Sequence, residues 1–235
     1  MYAQNYENYR VIYIDDCSSD GTGNLVEDYI KQWGQERRTV LIKNKKRLGA
    51  PMGNIYKAIH SCDDHVIIVT LDGDDWFAHE NVLAVINKQY TENDIWLTYG
   101  QFIYWPDGSA SPYRELPKSV INKNAYRQFD WTTSHLRTFY AWLFKKIKYE
   151  DLLYKNQFFP FAGDLGFMFP MLEMAGHHSK FIPEVLYIYN SANPLNEHKV
   201  KPEAQKALAR FIRSKRRYLV LKRAPNHVSE KKKSG

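Results

Sequence analysis

Residues 65–71 read HVIIVTL, five apolar positions out of seven with no alternation. A run this continuous describes a strand buried on both faces of a parallel sheet, covered by helices above and below. It ends in Asp72-Gly73-Asp74-Asp75. In open α/β sheets ligands bind beyond the carboxyl ends of the strands, so this acidic turn falls where a site is expected. Three carboxylates within four residues repel one another unless a cation or hydrogen bonds compensate. Hard oxygens of this kind suit Mg2+ or Mn2+, and Gly73 is expected to let the backbone turn sharply enough for Asp72 and Asp74 to converge. The competing reading is an Asp/Gly turn that only ends the strand.

The flanking sequence repeats this pattern. Residues 10–14 (RVIYI) form a β-rich run ending in Asp15-Asp16, followed by a Ser/Asp/Gly turn. Residues 22–33 predict an amphipathic helix with Leu25, Val26, Tyr29 and Ile30 inward. A short strand at 39–42 and a helix at 50–61 with Ile55, Ala58 and Ile59 inward follow, with Pro51 near the helix start. After the 65–71 strand come a helix at 80–89 and a strand at 95–105. Alternation of this kind implies an α/β fold with an open, mainly parallel, doubly wound sheet. Beyond residue 105 the prolines at 106, 112 and 117 mark a long irregular crossing. Helices are expected at 139–147 and 164–175, an aromatic loop at 158–161, an extended segment at 181–189, and a basic amphipathic helix at 202–222. The chain divides into residues 1–200, with a ligand-binding half (1–105) and a second half (106–200), and a basic helix and tail at 201–235.

Charge and composition exclude several classes. Residues 199–235 carry 13 Lys or Arg against Glu203 and Glu230, leaving 20 basic and 24 acidic groups in the first 198. A nucleic-acid groove through the main body would need basic residues there, so none is expected. No apolar run reaches the ~20 residues of a membrane span. Two cysteines, Cys17 and Cys62, are too few for a disulfide scaffold or a sulfur-rich metal site. The expected location is a reducing cytoplasm, with peripheral contact at the inner face of a membrane through the basic C-terminus.

The segment 10–22 (RVIYIDDCSSDGT), the stretch 47–76 with Gly49, Asn54 and the ending LDGDDW, and the sequence Gly163-Asp164-Leu165-Gly166-Phe167 together resemble the family 2 glycosyltransferases of the GT-A type. The resemblance covers roughly residues 4–200. It implies an inverting transfer of a sugar from a nucleotide-diphosphate donor to the hydroxyl of a glycan, lipid-linked or protein acceptor, using Mn2+ or Mg2+. Carried over, Asp16 contacts the donor base with Asp15 beside it. Asp72 lies near the ribose, Asp74 holds the metal and diphosphate, and Asp75 supports them. Asp164 becomes the catalytic base, which a weakly nucleophilic hydroxyl needs; as residues alone, it reads first as a helix cap, and the two roles can coexist. The Ser-His-Leu-Arg sequence at 134–137 offers Arg137 to anionic oxygens, with an ordinary surface ion pair as the alternative. His198 and Lys199 fall on a loop that covers the donor phosphates in relatives. Trp105, Trp131 and Trp142 read as core residues more readily than as sugar platforms.

The sequence also departs from the family. The family's opening strand and helix, which normally precede the 10–22 block, have no counterpart here. Gly53 stands where many members have Arg, and Asn190 where an arginine often follows the tyrosine of the late extended segment. Strands 10–14 and 65–71 would flank the absent strand, so they are expected to pair directly, borrow a strand, or leave the sheet weakened. Two alternatives keep the motifs but change the activity: a catalytically silent nucleotide-sugar binder, and a nucleotidyltransferase.

Overall fold

The computed structural model describes residues 1–194 and 202–225. Nine strands and seven helices of α type lie within these residues. The first half runs β1 (Val11–Asp15), α1 (Thr22–Gln32), β2 (Thr39–Lys43), α2 (Pro51–His60), β3 (Ile67–Val69), β4 (Trp76–Phe77), α3 (Val82–Glu92) and β5 (Leu97–Trp105). The second half adds α4 (Lys118–Asn122), β6 (Thr138–Tyr140), α5 (Ala141–Lys145), the β7–β8 hairpin (Leu153–Tyr154, Gln157–Phe158), α6 (Gly163–Ala175), β9 (Ser179–Asn190) and α7 (Pro202–Ser214).

The α/β class holds, and the strand directions are mixed. The main sheet has the order β3-β6-β5-β9-β4. Only β5 and β9 run parallel within it; the pairs β3–β6, β5–β6 and β4–β9 are antiparallel. Strands β1 and β2 form a separate parallel pair. Direct pairing of β1 with β3 therefore does not occur: among the described residues β1 pairs only with β2, and β3 only with β6.

This division explains why several expected core positions are not buried. Val66 is exposed and Ile67, Ile68 and Val69 are only half-buried, so the 65–71 run is not covered on both faces. On α1, Ile30 is buried, but Leu25 is 71% exposed and Tyr29 and Trp33 are exposed beside it. Helical periodicity names a face correctly but does not say that a partner covers it.

The buried core lies instead under the second half. Helix α6 is buried along nearly its whole length, Gly166 through Ala175, despite Pro170 in its interior. It packs with Phe139, Trp142, Leu143, Phe144, Leu152 and Phe159 in one large cluster that also takes in Leu208 and Ile212 of α7. A Cβ on Gly166 would lie 2.6 Å from the Phe159 ring, so only glycine admits this approach. A second cluster joins α3 to β5 and β9 through Val82, Leu83, Ile86, Phe102, Leu186 and Tyr187.

Two helix expectations change. Residues 139 and 140, expected to open a helix, belong to strand β6, and the helix is confined to Ala141–Lys145. The C-terminal helix ends at Ser214, eight residues before the expected end, because the chain then turns to follow the body of the protein. Its inward residues are Leu208 and Ile212, while Phe211 and Leu219 are exposed.

Candidate active site

The acidic turn after β3 sits where the sequence placed it, against the end of β9. Asp75 N donates to Asp72 O at 3.2 Å and closes the turn. Gly73 is not in the left-handed region, so the convergence of Asp72 and Asp74 does not depend on glycine's conformational range. The turn is fastened by Tyr187 of β9. Its hydroxyl donates to Asp75 Oδ2 at 2.6 Å and accepts from Asp72 N at 3.3 Å. Asn190 N donates to Asp75 Oδ1 at 2.7 Å. Both Asp75 oxygens are thus committed to β9. Burial, with a smaller contribution from Asp74 and Asp72, pushes the Asp75 carboxyl up to about 6 despite these two hydrogen bonds.

Asp74, by contrast, is exposed, and Asn193 Nδ2 reaches its Oδ2. Asp72 keeps exposed surface, yet crowding by protein atoms raises its pKa; Arg137 opposes the rise, and Asp74 and Asp164 add to it. Arg137 and Asp164, remote in sequence, therefore act on Asp72 together with its neighbour Asp74.

Arg137 is the buried member of that group at 5% exposed, so it is not a surface ion pair. Its Nη1 donates to Asp164 Oδ2 at 3.3 Å, and Nη2 lies 3.2 Å from His135 Nδ1. Its Nε has no partner among the described residues. His135 is stacked on Tyr187 with ring centroids 4.3 Å apart. Burial and then the Arg137 charge hold its pKa well below the ordinary value, so it faces the guanidinium as a neutral acceptor. Asp164 stands in the first turn of α6 and makes no capping bond; its carboxylate turns toward Arg137.

The first acidic pair is used differently. Asp15 is buried beneath the start of α1, where a Cβ on Gly23 would meet its Oδ2 at 2.6 Å, and it accepts from Ser18 N. Asp16 accepts from Asn44 Nδ2 at 2.7 Å, Leu48 N at 3.0 Å and Gly49 N at 2.9 Å. Burial opposes its ionisation, but these bonds outweigh that and keep the carboxyl below the usual range. Asn44 also donates to Asn54 Oδ1 at 2.9 Å, so Asp16 and Asn54 belong to one network. Gly53 has a packing reason for departing from arginine: a Cβ there would be 3.1 Å from the Phe158 ring.

Of the residues singled out from sequence, Asp72, Asp74, Asp75, Asp164 and Arg137 come together, while Asp15, Asp16 and Asn54 form a separate polar cluster after β1. His198 and Lys199 lie outside the described residues. Trp142 is core, Trp131 packs on Phe169, and Trp105 is exposed against Trp76. Tyr187, Asn44 and Asn193 escaped the sequence reading, and His135 entered it only as a neighbour of Arg137 in the 134–137 stretch; for Tyr187 the Tyr-x-Tyr-Asn at the end of β9 gave a local signal.

The open carboxylates Asp74 and Asp72 suit a hard divalent cation. Among the described residues no three His, Cys, Asp or Glu side chains are grouped to hold an ion. The fit is therefore to Mn2+ or Mg2+ shared with a ligand's phosphates, for which one or two carboxylates suffice.

Comparison with known proteins bears on the family and the fold. The chain matches Glycosyl transferase family 2 over residues 1–153. Solved structures that are similar include S. aureus TarS, with a TM-score of 0.58, 16% identity, and coverage of 89% of this chain and 35% of that one. A shorter TarS, residues 1–349 in complex with UDP, gives a TM-score of 0.55 at 15% identity, covering 89% and 57%. The mannosyltransferase PcManGT from Pyrobaculum calidifontis, in complex with GDP-Man and Mn2+, gives 0.57 at 16% identity, covering 92% and 59%. The chain thus spans between 35% and 59% of the length of these proteins.

Proposed function

Since this chain belongs to glycosyl transferase family 2, we propose that it transfers a sugar from a nucleotide-diphosphate donor to an acceptor hydroxyl, with inversion and with a divalent metal. The observation that carries this reading is the ion pair of buried Arg137 with Asp164, with Asp72 and Asp74 close enough for their charges to act on one another, from three separate stretches of chain. Asp74, exposed at the tip of the turn, would hold Mn2+ or Mg2+ with the diphosphate, and Asp72 would sit beside the ribose. The cation would neutralise charge developing on the leaving diphosphate.

The remaining steps fall to the chain's own residues. The acceptor oxygen attacks the anomeric carbon as the bond from that carbon to the diphosphate oxygen breaks. The hydroxyl proton passes to the Asp164 carboxylate, whose orientation Arg137 fixes. Neutral His135 backs the guanidinium without adding a second positive charge. Asp75 and Tyr187 hold the turn in place, so the carboxylates are set before a ligand arrives. Asp16, with Asn54 and Asn44 in its network, would face the donor base. UDP and GDP-Man in the similar structures support a nucleotide-sugar donor of this kind. The acceptor is a glycan, a lipid-linked sugar or a protein.

A nucleotide-sugar binder without transfer is the second reading. It is favoured by the division between β1 and β3 and by an Asp16 carboxylate already saturated by its own loop. Family membership favours glycosyl over nucleotidyl transfer. A panel of nucleotide sugars with Mn2+ or Mg2+, read as released nucleoside diphosphate, separates the two readings. Turnover by the wild type and its loss in Asp74→Ala, together with metal-dependent affinity for nucleoside diphosphate, is the expected result. Metal-dependent affinity unchanged in Asp74→Ala would remove Asp74 from the metal site, and binding without turnover would select the silent binder.

A further inference from the structure

After α7 the chain does not continue as a helix but is pinned to the body at several points. Tyr218 N donates to the buried Glu173 Oε2 at 2.9 Å, and Tyr218 O accepts from Asn124 Nδ2 at 2.9 Å. The Tyr218 hydroxyl donates to Asp151 Oδ2 at 2.7 Å and accepts from Lys148 N at 2.8 Å. Three residues later, Leu221 N donates to Met174 O at 2.9 Å. Of the two residues between these anchors, Leu219 is held outward at 86% exposed, while Val220 rests its methyl groups over Gly176 and is still 50% exposed.

Their surroundings are basic. Arg216, Arg217, Lys222 and Arg223 are exposed on the same segment, and Lys123 and Lys148 are exposed beside it. Arg217 Nη1 is held by Asn124 O at 2.8 Å, so its charge stays at this face. A shallow groove here is lined by Lys123, Asn124, Arg216, Arg217, Tyr218 and Leu219, without a carboxylate. Of the nearby acids, Glu173 is engaged with Arg127 and Asp151 with Tyr218 and Lys215, while Glu150 is exposed.

We propose that segment 216–223 is a docking face for an anionic bilayer, with Leu219 and Val220 entering the interface and the surrounding cations meeting lipid phosphates. Isolated exposed apolar residues need no explanation. Two of them at the tip of a pinned segment, ringed by six cations, match a surface that is negative outside and apolar just beneath. A nucleic acid would use the charges but give Leu219 and Val220 nothing to do, and the one aromatic ring of the segment, Tyr218, has its polar atoms occupied inward.

The test is cosedimentation of the full chain with vesicles of phosphatidylcholine alone or mixed with phosphatidylglycerol, at low and high salt. Binding to the mixed vesicles only, weakened by salt, is expected. Leu219→Ser/Val220→Ser and Lys222→Glu/Arg223→Glu should each weaken it by roughly tenfold with melting temperature unchanged. Absence of binding to the anionic vesicles, equal binding to phosphatidylcholine, or unchanged affinity in both double variants would overturn the proposal. Tighter binding to a duplex DNA oligonucleotide would do the same, as would a solution dimer that dissociates on Leu219→Ser/Val220→Ser.

Discussion

Asp164 illustrates how one side chain changes meaning once its neighbours are known. In sequence it reads as a helix cap or a base; in the structure it makes no cap bond and turns to Arg137. Asp164→Asn preserves size but cannot accept a proton at neutral pH. Transfer should fall by roughly two orders of magnitude or more while nucleoside diphosphate affinity stays nearly constant. Isothermal titration alongside the transfer assay checks both, and near-normal transfer would take Asp164 out of the mechanism. His135 gives a pH prediction of definite sign. Its folded pKa lies below its unfolded value, so the stability it contributes is complete above pH ~6.5 and declines as pH falls below that. The decline approaches about 1.4 kcal/mol per pH unit, because only the unfolded chain takes up this proton. Urea unfolding between pH 7.5 and 5 should show a shallower acid loss in His135→Phe, which keeps the stack on Tyr187. Parallel curves would mean that His135 charges in the folded state as well.

Among the elements, α7 departs most from its sequence appearance. Its basic face fits a helix lying on a membrane or one docked on the body with its charges in solvent, and the helix is docked. Arg127 grips Glu173 through Nε at 2.5 Å and Nη2 at 2.9 Å, and its Nη1 donates to Ile212 O at 2.6 Å. Arg213 reaches back to the carbonyls of Arg127 and Phe129. A buried pair adds little relative to apolar packing, but stripping one partner leaves an uncompensated charge. Glu173→Ala should therefore cost about 3–5 kcal/mol in denaturant unfolding, and Arg127→Met/Glu173→Leu considerably less. Equal losses in the single and double variants would show that the charges were not the issue. Helix α6 was legible in extent, expected at 164–175 and found at Gly163–Ala175. The end of α7 was not, because residues 215–222 continue the helical spacing and only contacts with Asn124, Glu173 and Met174 divert them.

At the scale of the molecule, stability is unevenly distributed. Strands β5 and β9 share a nine-residue parallel register at the centre of the larger sheet, flanked by both core clusters. Strands β1 and β2 are a two-stranded pair with no further ladder among the described residues, and α1 offers them a partly exposed helix. Two-stranded sheets are marginal on their own. Native-state hydrogen exchange should give the amides of 11–15 and 39–43 protection lower by roughly tenfold or more than those of 97–105. Uniform protection across both sheets would show that the divided arrangement opens only with the whole protein. A nucleoside diphosphate with Mn2+ should raise protection around 72–75 first, where the carboxylates are already anchored to β9.

The sequence by itself determined the alternation of strands and helices, the acidic turns at the ends of strands 10–14 and 65–71, and the two blocks that fall within the family match, because these rest on local spacing and residue chemistry. It also named Asp72, Asp74, Asp75, Arg137 and Asp164 as candidates. Only the tertiary structure decided that Asp75 serves β9 while Asp74 stays open, and that Arg137 is buried between His135 and Asp164. It also decided that the sheet divides between β1 and β3 and that the basic C-terminal segment is pinned with Leu219 outward. Each of these depends on which surfaces meet across long sequence separations, and hydrophobic periodicity carries no information about the identity of the partner.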